Sequence, residues 1–296
     1  MLMKEQFYAK AYAKVNFNLK VYPKDDKDCF HNIESIFQTV DLYDELTVTL
    51  KQIKGCSVQC QQVVLPAKNT LTSAYDVFCE VAGVDVPGIN VELKKGIPSG
   101  GGLGGGSSDA AALVRLLQKI CGLSLSENQL DYIADKTGSD VFFFMHCDSE
   151  GKGAALVSGR GQIIKKIASR DDLFLLLIFP KLSSSTKEAY MLADDFLAEM
   201  NVSDYKVDYP LFEDLEAVYR ADVEKWVFKN TFTMPLCRKY SEISCAMEDL
   251  RKSGALFSDM SGSGSTVFGV FTLRQQAMNS CSLLAGTWNC VVVQTI

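Results

Sequence analysis

Residues 97–117 read IPSGGGLGGGSSDAAALVRLL and join a glycine-rich stretch directly to an apolar one. Six glycines and three serines precede the apolar run. Glycine lets backbone N–H groups approach a ligand closely, and the first turn of a helix adds unpaired N–H groups and a partial positive charge. The segment therefore predicts a phosphate-binding loop that opens a helix. The alternative is a flexible linker, but a linker would not run directly into an apolar helix.

The loop matches neither of the two most familiar phosphate loops. Gly100, Gly102 and Gly105 satisfy a literal GxGxxG. A dinucleotide-binding turn, however, follows the first strand and needs an acidic residue about 20 positions later. Nearly a hundred residues precede this loop, and residues 119–123 include no acid. A Walker A loop has lysine after its last glycine, whereas Ser107 follows Gly106 here.

The flanking sequence predicts the elements around the loop. Ser107 or Ser108 can cap the following helix, Asp109 suits its positive end, and Gly122 can end it. Further helices are predicted over 69–81, in the sequence LSLSENQLDYIADKTG and in SEISCAMEDLRKSG. Strands are predicted at 89–95, 173–179, 256–260, 266–271 and 290–295. This order predicts an α+β unit in the second half of the chain.

Alternation of apolar and polar residues predicts a half-buried strand near the N-terminus. Residues 11–21 read AYAKVNFNLKV, which places Lys14 and Asn16 on the polar face. A lysine at such a position is, taken alone, typical of a solvated strand surface.

Composition limits the class of protein. Apolar residues make up 47% of the 296 and charged residues 22%, which is typical of a folded globular chain. The net charge of −6 disfavours nucleic acid as a partner. The longest strongly apolar run, LFLLLIF, is too short to cross a bilayer, so no membrane association is expected. The ten cysteines lack CxxC spacing, which favours buried reduced thiols, no metal site and a cytoplasmic location.

The glycine loop resembles the phosphate loop of the GHMP kinases, P-x-x-x-G-L-G-x-S-S-A. The matching residues are Pro98, Gly102, Leu103, Gly104, Ser107 and Ser108. The string GLGGGSSDAA, residues 102–111, is similar to one branch, the kinases of 4-diphosphocytidyl-2-C-methyl-D-erythritol in the non-mevalonate isoprenoid pathway.

Three further segments match the same branch in the same order. AKVNFNL and DCFH, within residues 13–31, resemble its opening motif A-K-x-N-x-x-L and D-G-Y-H. GSDVFFF, residues 138–144, resembles G-x-D-V-P-F-F, and MSGSGSTVFGVF, residues 260–271, resembles a third glycine motif. Each segment alone has a simpler interpretation, such as a turn or a helix cap. The occurrence of all four in this order favours the resemblance to the kinase branch over those simpler interpretations.

The resemblance implies a two-domain α+β fold. Its N-terminal domain, residues 1–168, would be like the second domain of ribosomal protein S5, and residues 169–296 would be ferredoxin-like. The active site would lie in the cleft between them. ATP and Mg²⁺ are the implied cofactors, and Mg²⁺ would be held mostly by phosphate and water because the sequence has no acid-rich cage.

The resemblance also assigns site residues. Asp140 would be the catalytic base, with Lys14 as its cationic partner. The phosphates would lie on Pro98, Ser99, Gly100, Gly101, Gly102, Leu103, Gly104, Gly105, Gly106, Ser107 and Ser108. Asn69 and Lys95 would contact the adenosine, although a helix cap and a surface lysine are the simpler interpretations of these two.

The implied substrate is a small molecule that carries cytidine diphosphate. Asn16 and His31 would orient it, and Phe30 and Tyr190 would stack on its base. Phe30 stands where the branch has tyrosine, Cys29 replaces glycine and Phe142 replaces proline, so the tyrosine hydroxyl is lost while ring stacking is kept. Two alternatives are another small-molecule kinase of the superfamily, acting on mevalonate, homoserine or a sugar, and a non-catalytic nucleotide-binding regulator.

Overall fold

The computed structural model describes residues 5–24, 30–182, 185–199 and 209–296, which form two compact units. Strands β1 (Gln6–Val21) and β2 (Ile33–Lys51) contribute residues to both units. The first unit holds the described parts of Met1–Ala13, Leu42–Ser99 and Gly104–Lys152, and the second those of Lys14–Asp41, Gly100–Leu103 and Gly153–Ile296. The single domain boundary after residue 168 stays a prediction.

In the first unit, strands pair beside a group of packed helices. Strand β4 (Gly88–Lys94) pairs antiparallel with residues 45–51 of β2 and parallel with β3 (Cys56–Cys60). The helices are α1 (Thr70–Val81), α2 (Gly105–Cys121), α3 (Glu127–Thr137) and α4 (Ser139–His146). Helix α1 packs on α2 and α3, and α4 packs on α2 and α3. The apolar run after the glycine loop is the buried part of α2, as its sequence predicts.

In the second unit, residues 33–38 of β2 pair with β5 (Ala154–Gly159), which pairs with β6 (Ile163–Ile167). A separate antiparallel sheet has the order β10-β7-β9-β8. Its strands are β7 (Phe174–Phe179), β8 (Phe257–Met260), β9 (Val267–Phe271) and β10 (Asn289–Gln294). Each lies within one residue of its predicted bounds, and the whole is the α+β architecture that the sequence predicts.

Helices cover this second sheet. Helix α8 (Ser241–Lys252) packs on β8 and β9, and α9 (Arg274–Leu284) packs on β7, β9 and β10. Three further α-helices lie in the described part of the unit, namely α5 (Thr186–Glu199), α6 (Leu215–Arg220) and α7 (Thr233–Lys239). Within the described ranges, no helix combines the length and the apolar character needed to cross a membrane.

The prediction of a solvent-exposed polar face on β1 is wrong. Lys14 and Asn16 are each only 2% exposed, and Asn18 is 1% exposed. Both faces of the strand are covered along this half, because the polar side chains find partners inside the protein. The alternation therefore marks two buried faces of different chemistry.

The predicted serine cap of α2 is also wrong. The helix begins at Gly105, and its N-cap is Gly104, which has a φ of 71° and makes no side-chain cap. Ser107 and Ser108 lie inside the first turns. The predicted C-terminus is confirmed, since the N–H of Gly122 donates to the carbonyls of Gln118 and Lys119.

No disulfide joins any of the nine cysteines in the described ranges. Seven are half-buried, and Cys79 and Cys245 are exposed, so the prediction that the thiols are buried is wrong. Cys29, Asp28 and the rest of residues 25–29 lie outside the described residues.

Asp259 on β8 makes stability depend on pH. Its carboxylate accepts hydrogen bonds from Thr233 Oγ1 at 2.5 Å and from the Met260 amide at 2.8 Å, yet burial raises its pKa to about 6 from 3.8. A raised folded-state pKa means that the contribution of this acid to stability is full below about pH 4 and is lost as pH rises through about 6. We expect Asp259→Asn to gain roughly 2–3 kcal/mol over wild type between about pH 4 and pH 7. Urea unfolding of both proteins across this range measures the difference, and a difference independent of pH would contradict it.

Candidate functional site

The glycine loop owes its shape to alternate glycines. Gly100, Gly102 and Gly104 have φ values of 72°, 76° and 71°, in the left-handed region that favours glycine. The first helical hydrogen bond of α2 runs from the Ser108 amide to the Gly104 carbonyl at 2.9 Å. The amides of the preceding helical residues therefore lie at the open, electropositive end of α2 and can bind an anion.

Two side chains in the second unit hold the carbonyl of Gly102. Lys14 Nζ donates to this oxygen at 3.1 Å, and Ser261 Oγ donates to it at 3.1 Å. The backbone adds two further contacts, from the Lys14 amide to the Leu103 carbonyl and from the Thr266 amide to the Gly101 carbonyl. The loop tip is therefore fixed against β1 and against the glycine segment 260–271.

Lys14 is a buried cation with a defined orientation. Besides the Gly102 carbonyl, its ammonium donates to Asn16 Oδ1 at 2.6 Å and lies 4.6 Å from the ring centre of Phe37. Asn16 in turn donates to Ser35 Oγ at 3.1 Å, which fixes the amide. The structure thus brings Lys14 and Asn16 together at the loop, while their roles toward a substrate stay predictions.

Lys95 is buried beside two carboxylates in the first unit. Its ammonium contacts Asp44 Oδ2, and it lies 3.1 Å from Asp109 Oδ2. Its side chain is 12% exposed, so the interpretation of Lys95 as a surface lysine is wrong. Burial raises the pKa of Asp109 to about 8 against the lowering effect of Lys95, while the pKa of Lys95 is raised because its two anionic partners outweigh burial.

Asn69 is the N-cap of α1. Its Oδ1 accepts from the amides of Leu71 and Thr72, and its Nδ2 donates to the Pro66 carbonyl. The simpler interpretation of this residue as a helix cap is confirmed. A contact between Asn69 or Lys95 and adenosine stays a prediction.

His31 and Tyr190 form a ring pair in the second unit. Their ring centres are 4.8 Å apart, and the Tyr190 ring also meets Phe232 edge-on at 4.9 Å. His31 Nδ1 lies 2.8 Å from the Tyr22 carbonyl, so this nitrogen carries a proton and donates to that oxygen. Nε2 is buried 3.3 Å from Asp194 Oδ1, in a geometry that makes no hydrogen bond.

Phe30 lies at the surface, with 56% of its area exposed. The guanidinium of Arg160 stands over its ring at 4.9 Å from the centre, a cation–π contact. The predicted sandwich of a base between Phe30 and Tyr190 stays a prediction.

Asp140 lies in the first turn of α4, directly after Gly138 and Ser139. It is half-buried, and the five residues that follow it are buried. A negatively charged side chain in the first turn of a helix interacts favourably with the helix dipole. Because Asp140 and Lys14 belong to different compact units, their predicted pairing stays a prediction.

Sequence reasoning misses several residues that hold the site together. It interprets Asp109 only as a helix-end charge, and Ser261 only as part of a glycine segment. Asp44 has a readable signal, because it shares one strand face with Leu46 and Val48, where a charge needs a buried partner. Asp194 carries no such signal.

Comparison with known proteins places the chain in a family. Residues 69–148 match the model of the GHMP kinases N terminal domain. The 4-diphosphocytidyl-2-C-methyl-D-erythritol kinase of Treponema pallidum (strain Nichols) is 38% identical over 94% of each chain. The chain belongs to this kinase family.

Two further members of the family agree over nearly the whole length. The 4-diphosphocytidyl-2-C-methyl-D-erythritol kinase of Thermodesulfovibrio yellowstonii is 33% identical over 97% of each chain. A crystal structure of 4-(cytidine 5'-diphospho)-2C-methyl-D-erythritol kinase superposes with a TM-score of 0.80 at 27% identity, covering 98% of this chain and 99% of that one. Membership in this GHMP kinase family makes the chain an ATP-dependent kinase and confirms the fold that the sequence predicts.

Proposed function

We propose that this kinase transfers the γ-phosphoryl group of ATP to the 2-hydroxyl of 4-diphosphocytidyl-2-C-methyl-D-erythritol, a step toward isoprenoid precursors. Relatives named for this substrate match over nearly the full chain, which supports the assignment. The structural observation that most directly supports a cytidine-containing substrate is the ring pair of His31 and Tyr190. A buried imidazole nitrogen without a hydrogen bond, next to an aromatic ring, suits the polar edge of a planar base such as cytosine.

The phosphates of ATP would lie on the glycine loop. Backbone N–H groups of residues 99–107 would surround the β and γ phosphates, and the end of α2 adds its partial positive charge. Since glycines at 100, 102 and 104 leave the backbone uncovered, the phosphates can approach it closely. Phosphoryl transfer needs mainly such positioning and charge stabilisation.

Asp140 would act as the general base. It accepts the proton of the substrate hydroxyl while that oxygen forms a bond to the γ phosphorus and the bond to the β-phosphate oxygen breaks, releasing ADP. Lys14, oriented by Asn16 and the Gly102 carbonyl, would stabilise negative charge on the transferring group. Asn16 and His31 would orient the acceptor, and correct orientation alone can contribute about 7–11 kcal/mol to the rate.

Mg²⁺ fits the donor set of the loop. The hydroxyls of Ser107 and Ser108 in the first turns of α2 are hard oxygen ligands of the kind this ion prefers. Across the described ranges, His, Cys, Asp and Glu form no group of three or more that could hold a metal, so phosphate oxygens and water would complete the coordination. Bound there, the ion would neutralise charge on the β and γ phosphates.

A coupled ADP-release assay with Mg-ATP tests the assignment. The panel holds 4-diphosphocytidyl-2-C-methyl-D-erythritol, mevalonate, homoserine and galactose. We expect turnover with the cytidine compound alone. Turnover with another member would assign a sibling kinase, and ATP binding without any turnover would favour a regulator.

Removing the Tyr190 ring should weaken the cytidine substrate selectively. Stacking of a base on an aromatic side chain contributes about 1–3 kcal/mol, so we expect Tyr190→Ala to raise KM for the cytidine substrate roughly 5- to 150-fold. Tyr190→Phe keeps the ring and should stay near wild type. Phe30→Ala, at an exposed ring, should have a smaller effect in the same direction. Steady-state kinetics measure both KM values, and an equal rise in KM for ATP would exclude base stacking.

A further inference from the structure

Asp44 is a fully buried carboxylate whose oxygens are both directed at the entry to the glycine loop. Its Oδ1 accepts from the Gly96 amide at 2.7 Å and from the Ile97 amide at 2.8 Å, and its Oδ2 accepts from Lys95 Nζ. Gly96 and Ile97 are the residues immediately before Pro98, the first residue of the loop. One carboxylate therefore sets the direction in which the chain enters the loop.

Lys95 links Asp44, at the start of the loop, to helix α2, which begins where the loop ends. Its ammonium also donates to Asp109 Oδ2 at 3.1 Å, and Asp109 is a buried residue of α2. A Cβ placed on Gly105 would lie 3.2 Å from Lys95 Nζ and 3.4 Å from Asp44 Oδ2. Lys95 and Asp44 thus lie directly against Gly105, the first residue of α2.

We propose that Asp44 is a positioning residue for the nucleotide, which holds the two ends of the phosphate loop in register through the Gly96 and Ile97 amides and through Lys95. The inference rests on the proposed use of this loop for the phosphates of ATP. A loop that binds through backbone amides has no side chains to adjust, so the spacing of its ends fixes the spacing of the amides. Misplacement of about 1 Å in such a site costs about 10²-fold in rate.

The variant Asp44→Asn distinguishes the hydrogen bonds to the Gly96 and Ile97 amides from the contact with Lys95. The amide oxygen can still accept from the Gly96 and Ile97 amides, while the Nδ2 group replaces the oxygen that receives Lys95 and turns a donor toward its ammonium. Loss of a charged hydrogen bond of about 1.5–3 kcal/mol corresponds to roughly 10- to 150-fold in affinity. We expect the Kd for Mg-ATP, measured by calorimetry, to rise by this factor, while KM for the acceptor at saturating ATP changes less than about threefold.

The chain contains a matched control one residue away on the same two strands. Glu45 and Lys94 are direct cross-strand partners, and their side chains pair at 2.7 Å, but both are more than half exposed. Exposed pairs of this kind contribute about 0–1 kcal/mol. Glu45→Gln should therefore leave the Kd for Mg-ATP unchanged.

Lys95→Met tests the same arrangement independently, in case the Asp44→Asn variant does not fold. It should raise the Kd for Mg-ATP by a similar factor, and the double variant should do no more than the worse single one, because both changes break one arrangement. Wild-type affinity for Mg-ATP in both single variants would overturn the proposal, and so would equal losses for ATP and acceptor with lowered thermal stability. Failure of the proposed function would show separately, as wild-type protein that binds Mg-ATP without phosphorylating the cytidine substrate.

Discussion

Asp140→Asn is expected to lower kcat by roughly 10²–10⁴-fold, the contribution usual for a positioned general base. An asparagine amide keeps the volume of the side chain but cannot accept the hydroxyl proton. The residue is half-buried in the first turn of α4, so the substitution should leave the fold intact. ATP affinity should persist, because the groups proposed to bind the phosphates belong to residues 98–108.

ADP release under saturating substrates and calorimetry with Mg-ATP separate the two effects. Asp135→Asn is a suitable control, because Asp135 is an exposed acid on the neighbouring helix α3 beside Lys136. It should leave both kcat and ATP affinity unchanged. If Asp140→Asn retains kcat within about threefold of wild type, another group removes the proton and the assignment of the base is wrong.

The second large effect is expected for Gly102→Ala. Gly102 has a φ of 76°, and a Cβ built on it would lie 2.1 Å from the Ser261 carbonyl oxygen. Because that atom belongs to the backbone, the loop has to move. Its movement would also break the contacts of Lys14 and Ser261 with the Gly102 carbonyl. We expect kcat/KM for ATP to fall by at least about 10²-fold, as for other misplaced sites.

Gly100→Ala is the control that separates the clash of a Cβ with Ser261 from the cost of placing alanine at a positive φ. Gly100 has a nearly identical φ of 72°, but nothing lies within 4 Å of a Cβ placed there. Its substitution carries only the cost of the left-handed conformation, about 1–2 kcal/mol, or roughly tenfold. Equal losses of kcat/KM in the two variants would show that the contact with Ser261 is not what makes Gly102 sensitive.

Much of the fold follows from local patterns in this sequence. The four strands of the second sheet are short apolar runs bounded by polar residues, and their predicted bounds agree with the structure to within a residue. Helix α1 is predictable with Asn69 at its start, because an Asn N-cap needs only its own first turn to be satisfied. The shape of the glycine loop is equally local, since its glycines and helix α2 are adjacent in sequence.

The rest depends on contacts between distant segments. The alternation on β1 predicts an exposed Lys14, but the Gly102 carbonyl, 88 residues away, accounts for its burial. The same holds for Lys95, whose two anionic partners come from β2 and α2. Periodicity tells which residues share a face, yet it cannot tell whether a polar face meets water or a complementary partner.

The proposed recognition of phosphate by main-chain amides of the glycine loop has a consequence for inhibition. A competitive inhibitor held by the amides of residues 99–107 would depend on main-chain atoms, which a change of side chain does not remove. Substitution of Gly102 itself is an unfavourable way to resist the inhibitor, because any added side-chain carbon would clash with the Ser261 carbonyl. We expect escape variants against such an inhibitor to arise outside the loop, and the loop itself to stay sensitive in every variant that retains activity.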